Sequence, residues 1–402
     1  MRDNERTTVP TRANTASSSP KPWSDNRPGR TFDPVHIAGI ATTSWLPEQN
    51  AVVDELVYNA VSEALSSASL NRHEIGLTVT ASMDLFDGRS ISSGLTNSAS
   101  GGYLKDSYRL ESDVGTAIIA AAQAIAAGDV DIAVAVGAYN PETSSAGTER
   151  HAFLEQLSNF AFDAHFARPI GLTARASYGL HACWALSEQE TTLELLAELA
   201  AREIGVASSS PRSMRTSVVT PADILASLQV SSPLTELMLP AYSTGAAAVV
   251  LASPARAARA NSRGAIITGV GHATGSYLES TEWLRDPGAS TARAAAAAYR
   301  TAGLSDPAAA IGLIEFTAPS IALYQPLLDA LGLDKNLPHA NINPSGGAAG
   351  NYPGLANGAL RLLEVVERLE DRSDIQAGVV HSVDTITGTA ALDSTVLVVE
   401  GV

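Results

Sequence analysis

The chain has 402 residues, 45% of them hydrophobic and 17% charged, which is enough for two ordinary domains and excludes a fibre, a coiled coil or wholesale disorder. Lys plus Arg total 26 against 42 Asp plus Glu, for a net charge of −16. That field repels phosphate backbones and anionic lipid, so nucleic acid is not an expected partner. The single cysteine, Cys183, can neither close an intrachain disulfide nor build a thiolate metal site. This points to a reducing compartment or one indifferent to redox, and the expected location is cytoplasmic.

In chain order, residues 1–34 are rich in Arg, Ser, Thr, Asn and Pro and lack the apolar core of a secretory signal, so they read as a disordered tail. No run of eighteen apolar residues follows, and no membrane span is expected. The body opens on HIAGIATTSW and then alternates helix-length with strand-length segments, the rhythm of an α/β fold. EALSSASLNRHEIGLTVTAS reads like AAYRTAGLSDPAAAIGLIEFTA about 236 residues later, each a helix, a turn and a buried strand. GTAIIAAAQAIAAGDVDIAVAVGA pairs in the same way with GALRLLEVVERLEDRSDIQAGVVHS at an offset of about 244. The closing strands GAAAVVLAS and DSTVLVVEG are only about 148 residues apart, so the first half holds roughly 96 extra residues. Those residues carry helical patterns of their own, RASYGLHACWAL and TLELLAELAAREIG.

The expected organisation is an N-terminal half of residues 35–140 plus 236–258, an inserted lobe over 141–235 and a C-terminal half over 262–402. Two such halves packed as α/β/α/β/α place their site at the junction, after strands and before helices, where helix N-termini converge. The histidines, including His151, His165 and His181, show no metal-ligand spacing such as HExxH, and no metal is expected. No GxxxxGK[ST] or GxGxxG follows a strand, which leaves nucleotide hydrolysis and dinucleotide chemistry without support.

Within this architecture, NINPSGGAAGNYPGLANGALRLLE resembles the signature of the thiolase superfamily. VTPADILASLQVSSPLTELMLPAYSTGAAAVVLAS is similar to its sterol-carrier, lipid-transfer branch, and MDLFDGRSISSGLTNSASGGYLKD extends the resemblance, which runs from about His36 to Val402. It implies a duplicated five-layered α/β/α/β/α fold with a loop domain inserted in the first half. It also implies carbon–carbon bond chemistry on an acyl-CoA or acyl-carrier thioester, with coenzyme A entering as substrate and no permanently bound cofactor.

The usual thiolase machine is a cysteine acylated at a helix N-terminus, a histidine of a GHP motif that activates it, and a Cys or His near the last strand that moves the α-proton. Carried onto this sequence, the nucleophile's place falls in RLESDVG, at Glu111 or at Val114, and holds no cysteine. Cys183, in SYGLHACWAL, resembles a packing residue. The GHP place reads GNYPGLANG, with Asn351 or Tyr352 where the histidine would stand, while His381 in GVVHSVD keeps the last-strand place. ESDVG resembles a cysteine-free branch of the superfamily. Its members include aldolases that cut steroid side-chain acyl-CoA thioesters, use tyrosine, and work with a small partner of OB-like fold.

The implied function is cysteine-independent carbon–carbon cleavage or formation of aldol or retro-aldol type in lipid metabolism. The alternatives are an acetyl-CoA acetyltransferase-like acyltransferase and a non-catalytic thiolase-fold subunit of a heteromer. Tyr352 and His381 are the expected general acid and base, or else a packed loop tyrosine and a structural histidine. Asn343 would orient a water, and Ser345, Gly346, Gly347 and Asn351 would shape the oxyanion site, though shape alone can also explain the glycines. Glu111 and Asp113 are carboxylates at a helix start, tuned as acid or base, or, for Asp113, serving only as a cap. Glu315 in IEFTAPS matches a family glutamate that supports the site from behind. Arg212 and Arg215 in SSSPRSMRTS are expected to meet coenzyme A phosphates or to lie in a solvated loop. The resemblance implies a homodimer through the first-half sheet, or a heteromer with the OB-like protein.

Overall fold

The computed structural model describes residues 29–83, 92–140, 158–159, 162–277, 280–333, 337–384 and 391–402. Residues 1–28 of the expected tail, 84–91 of the segment MDLFDGRSISSGLTNSASGGYLKD, and His151 lie outside the described residues. The strands are β1 (Val35–Thr42), β2 (Leu77–Ala81), β3 (Asp106–Leu110), β4 (Ile132–Tyr139), β5 (Gln229–Ser231), β6 (Leu234–Thr235), β7 (Gly245–Ala252), β8 (Ala265–Tyr277), β9 (Leu313–Phe316), β10 (Ala377–Asp384) and β11 (Ala391–Gly401). The longer helices are α1 (Val53–Ser67), α2 (Ser92–Ser100), α3 (Val114–Ala126), α4 (Ala174–Ser187), α5 (Leu193–Ala207), α6 (Ala289–Thr301), α7 (Tyr324–Leu331) and α8 (Asn357–Asp371).

Strands such as β4, IAVAVGAY, have every residue buried, and a continuous apolar run of this kind is stable only with both sheet faces covered. The sheet order is β3-β2-β4-β7-β1-β8-β11-β10-β9. On one side of the β1/β8 contact, β1–β7 and β7–β4 are antiparallel and β4–β2 is parallel. On the other side, β8–β11 and β11–β10 are antiparallel and β10–β9 is parallel. The strands that the sequence repeat links, β2 with β9, β4 with β10 and β7 with β11, therefore occupy equivalent places. Residues 140–244 intervene between β4 and β7, and only 385–390 between β10 and β11.

Helix α1 covers β1, β4 and β7 with its own apolar cluster. Helices α3 and α8 pack together, α3 on β2 and β4, α8 on β9, β10 and β11, and share a second cluster. Helices α6 and α7 and the intervening-segment helices α4 and α5 contribute to a third. Part of the expected tail belongs to the body, because Thr31 N–H donates to the Thr301 carbonyl at 3.2 Å and Phe32 is buried in the second cluster. Among the described residues, no helix is long and apolar enough to cross a membrane.

Candidate active site

Helix α3 starts immediately after Asp113, whose side chain caps it. Asp113 Oδ1 accepts from Gly115 N–H at 2.7 Å and from Ser382 Oγ at 2.7 Å, and Oδ2 accepts from Gly358 N–H at 3.1 Å. One carboxyl group thus sits at the N-termini of α3 and α8, one helix from each side of the repeat, and is tied to β10 as well. A Cβ at Gly115 or Gly358 would collide with these groups, so the close approach requires glycine. Burial pushes the Asp113 pKa up to about 7, against the pull of its three donors. Ser382 Oγ also shares a 2.6 Å hydrogen bond with Thr395 Oγ1.

Tyr352 is among the largest fully buried side chains. Its backbone is stitched to the 241–243 segment by Tyr352 N–H to Ala241 O at 2.7 Å and Ser243 N–H to Tyr352 O at 3.2 Å. The next turn is closed by Gly354 at φ +51°, where a Cβ would strike the Tyr139 ring. The Tyr352 hydroxyl reaches the Val383 carbonyl at 3.5 Å, the outer limit of a hydrogen bond. Burial raises the phenol well above its usual range, and the nearby Asp113 and Asp384 carboxyls add to the effect. The group is therefore a proton-holding donor with no strong acceptor of its own. Tyr242 stands edge-on to its ring, with centroids 5.8 Å apart. Tyr242 also lines a groove of about 570 Å³ that includes Arg175, Met214, Arg215, Leu228 and Leu237, a volume suited to a small organic ligand.

The turn ahead of Tyr352 is held from below. Asn343, at φ +46°, accepts from Phe316 N–H through Oδ1 at 2.7 Å and donates its own N–H to Ile314 O at 2.8 Å. Gly346 and Gly347 have φ of +83° and +53° and face Ala207 of α5 and the Asn343 amide respectively. Ser345 donates to Glu315 from N at 2.9 Å and from Oγ at 2.7 Å. Arg361 Nη1 bonds Glu315 Oε2 at 3.1 Å and Ser345 Oγ at 2.9 Å, and Nη2 bonds the Asn351 carbonyl at 3.1 Å. The Asn351 amide is taken up by Ser243 Oγ at 2.6 Å and by the Arg212 carbonyl at 2.7 Å.

Solved structures of known proteins share the fold that carries these residues. The Ltp2-ChsH2(DUF35) aldolase matches with a TM-score of 0.73 at 20% identity, covering 94% of this chain and 99% of that one. Human mitochondrial 3-ketoacyl-CoA thiolase matches at 0.70 and 13%, covering 92% and 98%. The chain has the thiolase fold. A monomeric SCP2-thiolase-like protein type 1 from Mycobacterium smegmatis matches at 0.69 and 16%, covering 91% of this chain and 77% of that one. No family model matches the sequence, and no curated protein matches it.

On this thiolase fold, several expected residues have other partners. Glu111 is exposed and pairs with Arg109 at 2.7 Å, because the turn into α3 points Asp113 inward and Glu111 out. His381 does not share the face of Asp113. Neighbouring strand residues point to opposite faces, and while Ser382 meets Asp113, His381 Nε2 meets Thr291 Oγ1 of α6 at 3.1 Å. Burial lowers the His381 pKa to about 3, so the ring is neutral at working pH. Arg212 is engaged by Glu364 at 3.0 Å and by Glu367 at 2.6 Å. Arg215 donates to the Leu239 carbonyl at 3.0 Å and the Ala349 carbonyl at 3.2 Å, and burial lowers its pKa to about 10. Cys183, read as a packing residue, is exposed on α4; its Sγ lies 3.6 Å from the Ser232 carbonyl. Among the described residues, no group of three His, Cys, Asp or Glu side chains could hold a metal.

Sequence reasoning passed over Asp384, Ser382, Tyr242 and Gly358. A signal existed for two of them. Ser382 and Asp384 follow His381 within the segment GVVHSVD, at the end of a strand where side chains of open α/β sheets meet ligands.

Proposed function

We propose that this protein acts on acyl-CoA or acyl-carrier thioesters by cysteine-independent carbon–carbon bond cleavage or formation of aldol or retro-aldol type, on a duplicated five-layered thiolase scaffold. The observation that carries the reading is the buried Tyr352 phenol, with only a 3.5 Å contact to the Val383 carbonyl, beside a helix-start carboxyl and in a chain whose single cysteine is exposed elsewhere. In the cleavage direction, the Asp384 carboxylate takes the β-hydroxyl proton and the bond between the α and β carbons breaks. A ketone or aldehyde leaves, the thioester enolate is protonated by the Tyr352 phenol, and the proton taken by Asp384 passes back to the phenolate, so that both groups regain their starting states. Asp113 fixes the two helix starts whose N–H groups favour negative charge. Asn343 and the Gly346–Gly347 turn shape the wall beside them.

The groove at Tyr242 admits the thioester arm. Arg175 and Arg215 line it, and their charge suits the coenzyme A phosphates. The similarity to the Ltp2-ChsH2(DUF35) aldolase supports a small partner of OB-like fold. Edge strand β3 exposes Tyr108, and the preceding turn exposes Tyr103 and Leu104. That apolar edge supports a homodimer through this sheet. The expected location is cytoplasmic.

A second reading, a non-catalytic thiolase-fold subunit, is favoured by the exposure of Glu111, which pairs with Arg109, and by the engagement of a buried His381 with Thr291. An acyltransferase reading would need a thiol from elsewhere. The test is incubation of the purified protein, alone and with a DUF35-type partner, with β-hydroxyacyl-CoA substrates. Release of a carbonyl compound and a shortened thioester supports the aldolase reading, provided that Tyr352→Phe abolishes it. Turnover by the partner alone supports the subunit reading.

A further inference from the structure

The start of α3 is tied to β11 by two routes. The inner one runs from Thr395 through Ser382 to Asp113. The outer one begins at Asp393, on the same face of β11 as Thr395, and reaches the residue just ahead of Asp113. Ser112 Oγ donates to Asp393 Oδ2 at 2.9 Å, and Thr116 Oγ1, in the first turn of α3, lies 3.1 Å from the same Ser112 oxygen. The other carboxylate oxygen, Asp393 Oδ1, meets His272 Nε2 of β8 at 2.6 Å and accepts from Thr274 Oγ1 at 3.2 Å. The His272 side chain is 38% exposed and that of Asp393 17%. A group that exchanges protons with solvent thus stands at the outer end of this chain of bonds, and the cap of α3 at its inner end.

The elements around the pair bring these charges. Helix α3, VGTAIIAAAQAIA, has none. Helix α6 brings Arg293, whose Nη2 donates to the Thr274 carbonyl at 2.6 Å. The turn into α3 brings Glu111, paired with Arg109, and the buried Asp113. The bond to Asp393 raises the His272 pKa above its usual value, against the pull of partial burial. Burial is the chief reason that Asp113 holds its proton, and the Asp393 charge adds to it. An imidazolium–carboxylate pair is net neutral, while loss of the His272 proton leaves a net negative charge beside the start of α3. The neutral ring can still donate from Nε2, so the bonds persist and the charge changes. We infer that His272 is a positioning residue for the start of α3: through Asp393 and Ser112 it holds the turn ahead of Asp113, and its charge sets how readily that helix start accepts a further negative charge. This deepens the aldol reading above and rests on it for activity, since the thioester enolate is the charge to be accepted. The protonated pair leaves the helix start open to the enolate and the deprotonated pair opposes it, so turnover declines as pH rises through the His272 titration.

NMR titration of the full chain tests the coupling without substrate. His272 is one of eight histidines, and its signal is the one missing from His272→Gln. Its midpoint should lie above the ordinary 6.5, fall in Asp393→Asn, and fall by a smaller amount in Asp113→Asn, because a coupling between two sites acts in both directions. A midpoint indifferent to either substitution would overturn the inference. Turnover of β-hydroxyacyl-CoA tests the consequence. The parent should lose about two- to fivefold across that midpoint, the scale of a charge at a helix start. His272→Gln should show the lower turnover throughout, and His272→Arg, a fixed cation, the higher. A decline with pH that survives in both variants would overturn the role of His272. No cleavage by the parent at any pH would count against the aldol reading instead, with the coupling still decided by the titration.

Discussion

The two strand quartets have the same pairing directions, and their inner strands differ in chemistry. In the first, β4 is IAVAVGAY and β7 is GAAAVVLA, and every residue of both is buried. In the second, β10 is AGVVHSVD, equally buried, and β11 adds Ser394 and Thr395 to the buried polar set. A buried polar group is tolerated only with a partner. The second quartet finds its partners in neighbours, with Ser382 on Asp113 and His381 on Thr291. In the first quartet the inner strands β4 and β7 are apolar, while β2 buries Thr78 and Thr80. Topology is thus shared, and chemistry is concentrated where polar strand residues meet helix ends.

The largest effect that would sharpen this contrast is at Tyr352. Tyr352→Phe keeps the ring, its packing on Tyr242 and the fold, and removes only the weakly engaged hydroxyl. Turnover should fall about 10²–10⁴-fold, the scale of a lost general acid, with an unchanged melting temperature. Equal turnover by variant and parent would return the second quartet's polar groups to a structural role. The next effect is on stability. Arg361 and Glu315 form an ion pair at 3.1 Å with both side chains essentially inaccessible. Arg361→Met would strand Glu315 and cost about 3–5 kcal/mol, readable in chemical denaturation.

The alternation of elements, the equivalence of β2 with β9, β4 with β10 and β7 with β11, and the long interruption before β7 were all legible in the sequence. These features rest on apolar periodicity and spacing, which are local. The site was legible only in part. Asp113 and Tyr352 could be picked out because one precedes a clear helix and the other follows a glycine-rich turn. Glu111 could not be separated from Asp113, because a turn in three dimensions decides which of two carboxylates faces inward. His381 could not be separated from Ser382 without knowing which face of β10 meets α3. Arg361 and Glu364 were not singled out, because their partners Glu315 and Arg212 lie 46 and 152 residues away in the chain and only the fold brings them together.

A third prediction concerns the carboxyl group that bridges the N-termini of α3 and α8. The Asp113 pKa is about 7 in the folded protein, against an ordinary 3.8. The folded state therefore holds this proton more tightly than the unfolded chain does. Its contribution to stability is fully present below about pH 3.8, declines as pH rises toward 7, and is constant above that. Asp113→Asn should flatten that part of the pH profile in denaturation experiments between these limits. It should also cost about 1–3 kcal/mol, because an amide cannot accept from Gly115, Ser382 and Gly358 together. A profile that keeps its slope in the variant would assign the slope to another buried group, with Glu203, also raised to about 7, the next to examine.

The smallest expected effect is the most direct test of cysteine independence. Cys183 is exposed on α4, its sulfur near the Ser232 carbonyl, and surface substitutions away from special features usually change stability by less than about 0.5 kcal/mol. Cys183→Ser should leave both stability and thioester turnover unchanged. In the parent protein the thiol should react readily with an alkylating reagent without loss of activity. Loss of turnover on alkylation, with the serine variant inactive as well, would move the chemistry from the buried junction of α3, α8 and β10 to the surface of the intervening segment. Activity retained in both experiments would leave that junction, and the Tyr352 phenol within it, as the place to look for the proton donor.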